Sequence, residues 1–141
     1  MGVAMVDSFS EWRYGSLVVS VSSEIRNSKI LFGLLKGRRE IVVLEVGGEK
    51  AVFLREELLD FVDGKIFVAE SSDSDSTYFL LSPREVEPDS AMGDFIKKEN
   101  IRSSSLCLVK CSRGEINLVV DWDFESYQSF LSFLKEFLKT A

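Results

Sequence analysis

Residues 106–139 read LCLVKCSRGEINLVVDWDFESYQSFLSFLKEFLK, and the order of elements in that stretch decides the fold. Leu106 to Cys111 and Ile116 to Asp121 are rich in apolar and β-branched residues and read as strands, joined by a Ser112-Arg113-Gly114 turn. Phe124 to Lys139 then repeats its apolar residues at spacings of three and four, the period of a helix with one buried face. The same order occurs earlier: Glu40 to Val46, a Gly47-Gly48-Glu49 turn, Lys50 to Leu54 and a short helical stretch reaching Asp63. Two copies offset by roughly seventy residues predict a duplicated unit. The expected fold is α+β, with antiparallel sheets, two β-β-β-β-α pseudo-repeats (16–64 and 65–141) in a single domain, and a long C-terminal amphipathic helix.

Working outward, Leu17 to Ser23 reads as a strand, Arg26-Asn27-Ser28 as a turn, Lys29 to Leu35 as a central strand and Lys36 to Arg39 as a second turn. Gly64 is placed to cap the first helix. Lys65 to Glu70 and Thr77 to Leu81 follow as strands around the polar Ser71 to Ser76 stretch. Pro83 to Ala91 is expected as a loop, because proline cannot sit in a central strand, and Asp94 to Lys98 as a short strand. Residues 1 to 15 lack a clear period and are expected to be poorly ordered, with Trp12 and Tyr14 pinning them to the body. In the closing helix, Asp123 is the expected N-cap, and Trp122 is expected to staple onto Tyr127. The helix stripe, with Phe130 and Phe137 on it and Phe133 at its border, is wider than one sheet surface needs. Phe130, Phe133 and Phe137 are therefore the expected interface with a second copy or another protein.

The 141 residues, 45% of them hydrophobic, suffice for one domain with its own core. Cys107 and Cys111, on one face of a strand, would lie some 13 Å apart at about 3.3 Å per residue. That excludes a mutual disulfide or a shared metal ion, so both are read as small apolar core residues in a reducing compartment. The start MGVAMVDSFSEWRYG has no export signal, and no run of about 18 apolar residues spans a membrane. Met1-Gly2 opens a myristoylation signal, but Val6 stands where Ser or Thr is needed. A soluble intracellular protein, cytoplasmic or nuclear, with no membrane partner is expected.

With no histidine in the chain, the commonest general base and metal ligand are missing. Asp121, Asp123 and Glu125 read as a strand end and helix cap rather than a catalytic cluster. Asp73 and Asp75 lack the glycine and closing glutamate of a calcium hand, and no glycine pattern cradles phosphate. No catalytic residue, metal or cofactor is expected, and an enzyme ranks last. The net charge of −6 argues against a globally basic surface that wraps duplex DNA. Four local basic groups remain: Arg26 with Lys29; Lys36 with Arg38 and Arg39; Lys97 with Lys98 and Arg102; Lys110 with Arg113. Set in or beside turns, they are candidate phosphate contacts, with Phe32, Phe53, Tyr78, Phe79 or Phe95 as stacking platforms.

Two successive units of about four strands and a helix, the second ending in DWDFESYQSFLSFLKEFLKTA, resemble the plan shared by Pur-alpha repeats and Whirly proteins. The resemblance implies curved antiparallel sheets that bind single-stranded nucleic acid, and helices that pack together, often across a dimer. Two functions stand at this point. One is single-stranded DNA or RNA binding through sheet faces and basic turns. The other is an acidic adaptor or regulatory module that binds protein through the last helix or a sheet edge.

Overall fold

The computed structural model describes residues 5–30, 35–71 and 76–140. Two four-stranded antiparallel sheets, each a simple meander, follow one another along the chain. The first is built from β1 (Met5–Tyr14), β2 (Leu17–Ile30), β3 (Leu35–Val46) and β4 (Glu49–Leu54), and runs directly into α1 (Arg55–Val62). The second contains β5 (Val68–Glu70), β6 (Thr77–Leu81), β7 (Leu106–Ser112) and β8 (Glu115–Trp122), and runs into α3 (Phe124–Thr140). A 3-10 turn at Pro83–Glu85 and α2 (Ala91–Lys98) are inserted between β6 and β7. The α+β architecture with two four-strand-plus-helix units is thus present, and α2 is an addition to the second unit alone.

Both final hairpins close through two-residue turns whose central residues have positive φ, Gly47 and Gly48 (54° and 84°) in the first sheet and Arg113 and Gly114 (52° and 78°) in the second. These are the signs a type I′ turn demands, and they match the twist of the flanking strands. Asp123 caps α3 as expected: its carboxylate accepts the backbone N–H of Ser126 at 2.9 Å. α1 has no side-chain cap and begins straight from β4.

One core unites the two units. Trp12, Val19, Val21, Val42, Leu44 and Phe53 of the first sheet meet Leu80, Leu106, Leu108 and Trp122 of the second, with Leu58 and Phe61 of α1 and Phe130, Leu134 and Leu138 of α3 between them. Phe130 stacks on Trp122 (ring centroids 4.6 Å apart) and meets Trp12 edge-on (5.2 Å), so one side chain touches both sheets. Trp122 accordingly packs on Phe130 rather than stapling onto Tyr127, whose ring partner is Phe124. The Trp12 indole donates to the Ser129 hydroxyl at 3.1 Å. The Arg55 guanidinium joins Glu40 at 3.1 Å and donates to the Leu138 carbonyl, tying the last turn of α3 to the first unit.

Several expectations need correction. Residues 5–14 form β1, whose Ser8, Ser10 and Trp12 alternate with Phe9, Glu11 and Arg13; residues 1–4 lie outside the described residues. The two expected turns at 26–28 and 36–39 are strand. β2 and β3 continue through them, pairing Arg26 with Arg39, Asn27 with Arg38 and Lys29 with Lys36. Of the expected central strand 29–35, residues 31–34 are not among those described, and the remainder belongs to this same ladder. Asp94 to Lys98 is helical, the end of α2, because Ser90 caps that helix by accepting the Gly93 N–H at 3.0 Å. The strand expected over 65–70 is restricted to Val68–Glu70.

The second sheet is covered twice. Its inner face joins the shared core, while Leu81, Cys107 and Val109 on its outer face pack with Ile101 and with Met92, Phe95 and Ile96 of α2. Burial pushes the Cys107 thiol up to about 12, and the partly buried Cys111 thiol is also raised by desolvation. Both are free thiols. The outer face of the first sheet carries only a small cluster of its own, Ile41, Val43 and Val52 with half-buried Leu54, to which no helix contributes among the described residues.

Candidate nucleic-acid interface

Cross-strand register gives the outer face of the first sheet its chemistry. Phe9, Ser22, Val43 and Val52 stand in one row across all four strands. Phe9, at the edge of that row, is 64% exposed, more than any other large apolar side chain among the described residues. The next row on this face holds Glu24, Ile41 and Leu54, and the row beyond it is the pair Arg26 and Arg39. On the other side lie Glu11, Ser20, Glu45 and Lys50. The acids there are partnered: Glu11 with Arg13 at 2.7 Å and Glu45 with Lys50 at 3.6 Å.

From Arg26 and Arg39 onward the sheet narrows to a two-stranded ribbon. β1 pairs with β2 only as far as Ile25, and β4 with β3 only as far as Ile41, among the described residues. The ribbon and the residues joining it, 26–39, hold five of the chain's 17 basic residues and none of its 23 acidic ones. The net charge of −6 therefore conceals a strong segregation: the rest of the molecule carries 12 basic residues against 23 acidic ones. Arg26, Lys29, Lys36, Arg38 and Arg39, drawn from two separate groups in sequence, are brought together by one ladder.

The remaining basic candidates do not join them. Lys97 and Lys98 end α2, where positive charge complements the helix dipole. Lys98 lines a shallow depression with Gly114, Glu115 and Asn117, beside the β7–β8 turn that carries Arg113. Arg102 lies near Asp123, whose carboxyl is held below the usual range chiefly by the Ser126 backbone N–H and hydroxyl, and to a lesser degree by Arg102. Lys110 is an internal tie: its ammonium lies 3.2 Å from Glu49 and 5.9 Å from the centroid of the Tyr78 ring. Glu49 also accepts the Tyr78 hydroxyl, the main cause of its lowered pKa.

Most of the expected platforms are core. Phe53 and Tyr78 are buried in the shared core, Phe79 packs in the cluster between the second sheet and α2, to which Phe95 of α2 also belongs, and Phe32 is outside the described residues. The expected partner surface on α3 is corrected likewise. Phe130 is 0% exposed and Phe137 is buried, so neither has area to offer a second protein, and half-buried Phe133 stacks between them. The excess width of the stripe is used inside the molecule, because α3 sits where two sheets and α1 meet. The platform that sequence reading missed is Phe9, and the signal was the alternation of Phe9, Glu11 and Arg13 against Ser8, Ser10 and Trp12.

Among the described residues no helix is long and apolar enough to cross a membrane, and no three acidic or cysteine side chains are grouped as a metal site would need. No family model matches the chain, and comparison with curated proteins and with solved structures gave no match.

Proposed function

We propose that this protein is a non-enzymatic module that binds single-stranded DNA or RNA across the outer face of its first sheet. The observation that carries the reading is exposed Phe9, at the edge of a row whose Val43 and Val52 are buried, with the pair Arg26 and Arg39 that opens the basic ribbon two rows on. An exposed aromatic offers a stacking surface for a base, worth about 1–3 kcal/mol, and a basic track beside it follows the phosphates. The likeness in element order to Pur-alpha and Whirly units supports the same reading. Two free cysteines, one deeply buried, fit a reducing intracellular compartment.

The test is fluorescence anisotropy of a labelled oligothymidylate across a salt series. Arg38→Glu with Arg39→Glu is expected to weaken binding and to flatten the log–log salt slope by about 0.7 per lost phosphate contact. Phe9→Ala is expected to weaken it at every salt concentration. Lys97→Glu with Lys98→Glu, an equal charge change on α2, is the control and should alter the slope less. An unmodified chain with no salt-dependent binding to either DNA or RNA strands removes the reading. A protein-binding role would then rest on β8, an eight-residue edge strand that exposes Leu118.

A further inference from the structure

The two closing hairpins face each other across an open cleft of about 1130 Å³. Glu49, just past the β3–β4 turn, forms one side; Lys110, Ser112, Arg113 and Asn117 of the β7–β8 hairpin form the other. The two sides are chemically unlike. Glu49 is fixed: the Tyr78 hydroxyl and the Lys110 ammonium hold its carboxylate, and Tyr78 itself is buried. Its lowered pKa keeps it ionised at neutral pH, with acceptor capacity left over.

Arg113 is the opposite case. It occupies the first central position of a turn where both residues have positive φ, and the corresponding position in the first sheet is Gly47. Positive φ there favours Gly, Asn or Asp, and a long side chain adopts it at a cost. Its guanidinium has no hydrogen-bond or ion-pair partner among the described residues. A strained position given to an arginine without a partner among the described residues, at the mouth of a cleft, points to a role outside the fold.

We propose that this cleft binds a phosphorylated nucleoside unit, with Arg113 on the phosphate and Glu49 accepting from sugar hydroxyls or a base amino group. The planar fork of arginine suits phosphate, a fixed carboxylate suits a pair of hydroxyls, and Asn117 adds a donor and an acceptor to the lining. The unit can be a free mononucleotide or one residue of a bound strand. The inference does not depend on the ribbon, because none of its residues lies there.

The experiment is an NMR titration of the full chain with adenosine 5′-monophosphate and, separately, with an oligoriboadenylate, whose 2′-hydroxyls and base amino groups Glu49 can accept from, following the backbone amides of Ser112 and Asn117. Arg113→Asn is the decisive variant. Asn-Gly is a favoured type I′ pair, so the fold should be retained or stabilised while affinity falls by roughly tenfold or more, the loss of one charge-assisted phosphate contact. Glu49→Gln should weaken the nucleotide but not inorganic phosphate. Arg38→Glu with Arg39→Glu should leave the mononucleotide unaffected, which separates failure of the cleft from failure of the ribbon. Shifts with the mononucleotide assign the free nucleotide, and shifts with the strand alone assign a residue of the strand. No shift with either at millimolar concentration, or undiminished binding by Arg113→Asn, overturns the proposal.

Discussion

The two sheets share strand order, meander connections and a two-residue closing turn, yet their outer faces differ in kind. The second sheet is roofed by α2, and its strands read as nearly continuous apolar runs, as in Leu106 to Val109, because both faces are buried. The first has no such roof among the described residues, and its β2 alternates Val19 and Val21 with Ser20 and Ser22. Its two longest strands run on past their neighbours and collect the charge. Two like units have been finished in two ways, one with a helix packed on its outer face and the other with a small buried cluster of Ile41, Val43 and Val52 and an exposed Phe9 at the edge.

The sharpest way to break this comparison is to ask whether the halves stand alone. Phe130→Ala removes the ring between Trp12 and Trp122 and is expected to cost about 3–5 kcal/mol in chemical denaturation. Both sheets should lose protection in a single transition; independent unfolding of one sheet would mean that the core is not shared.

The roof is tested by Gly93→Ala. A Cβ on Gly93 would lie 2.3 Å from the Glu87 carbonyl oxygen and 2.7 Å from that of Pro88, both backbone atoms. That clash should outweigh the gain of about 1 kcal/mol that alanine brings to a helix, leaving a net loss of about 1–3 kcal/mol. Hydrogen exchange should quicken in β6 and β7 while β1 to β3 stay protected. Equal loosening of both sheets would show that α2 supports more than its own half.

The helices that close the two units differ in their caps, so Asp123→Ala should destabilise by about 1 kcal/mol, read from the thermal midpoint. No change would mean that α3 is held by packing alone, as uncapped α1 is. The smallest effect is expected at the tie between the sheets. Since Glu49 has a lowered pKa in the folded state, its contribution is complete above the ordinary glutamate value and fades as pH falls through the lower folded value. Glu49→Gln should therefore reduce the acid sensitivity of stability by less than about 1 kcal/mol, since the pair is partly exposed. An unchanged pH profile would assign the tie to positioning only.

The pattern of what sequence disclosed follows the same division. Both closing hairpins and the capped helix were legible because their signals are local: Gly47-Gly48, Arg113-Gly114, and Asp123 ahead of a three-and-four stripe. The ribbon was not, because its strands are made of the residues that usually mark turns: Asn27, Ser28, Gly37 and the surrounding charges. Helix α2 differs from the short strand expected over Asp94 to Lys98, because its start depends on the Ser90 cap and on Gly93 fitting against the close carbonyls of Glu87 and Pro88. The width of the stripe on α3 does not by itself distinguish a partner from the molecule's own core, since a helix at the junction of two sheets needs the same width as one at a dimer interface. The ribbon depends on register, which no single stretch of sequence contains, whereas the exposure of Phe9 follows from the alternation along residues 8–13.

The bond from the Trp12 indole to Ser129 spans 117 positions of the chain. During synthesis the first sheet is complete at Leu54, yet the helix that lies on its inner face reaches Leu138 only 84 residues later. At about 5–20 residues per second, the apolar face of Trp12, Val21, Leu44 and Phe53, covered from its own unit by α1 alone, waits roughly 4–17 s for α3. For that interval the nascent chain presents a sticky half-core, and a ribosome-associated holdase would find its binding surface there.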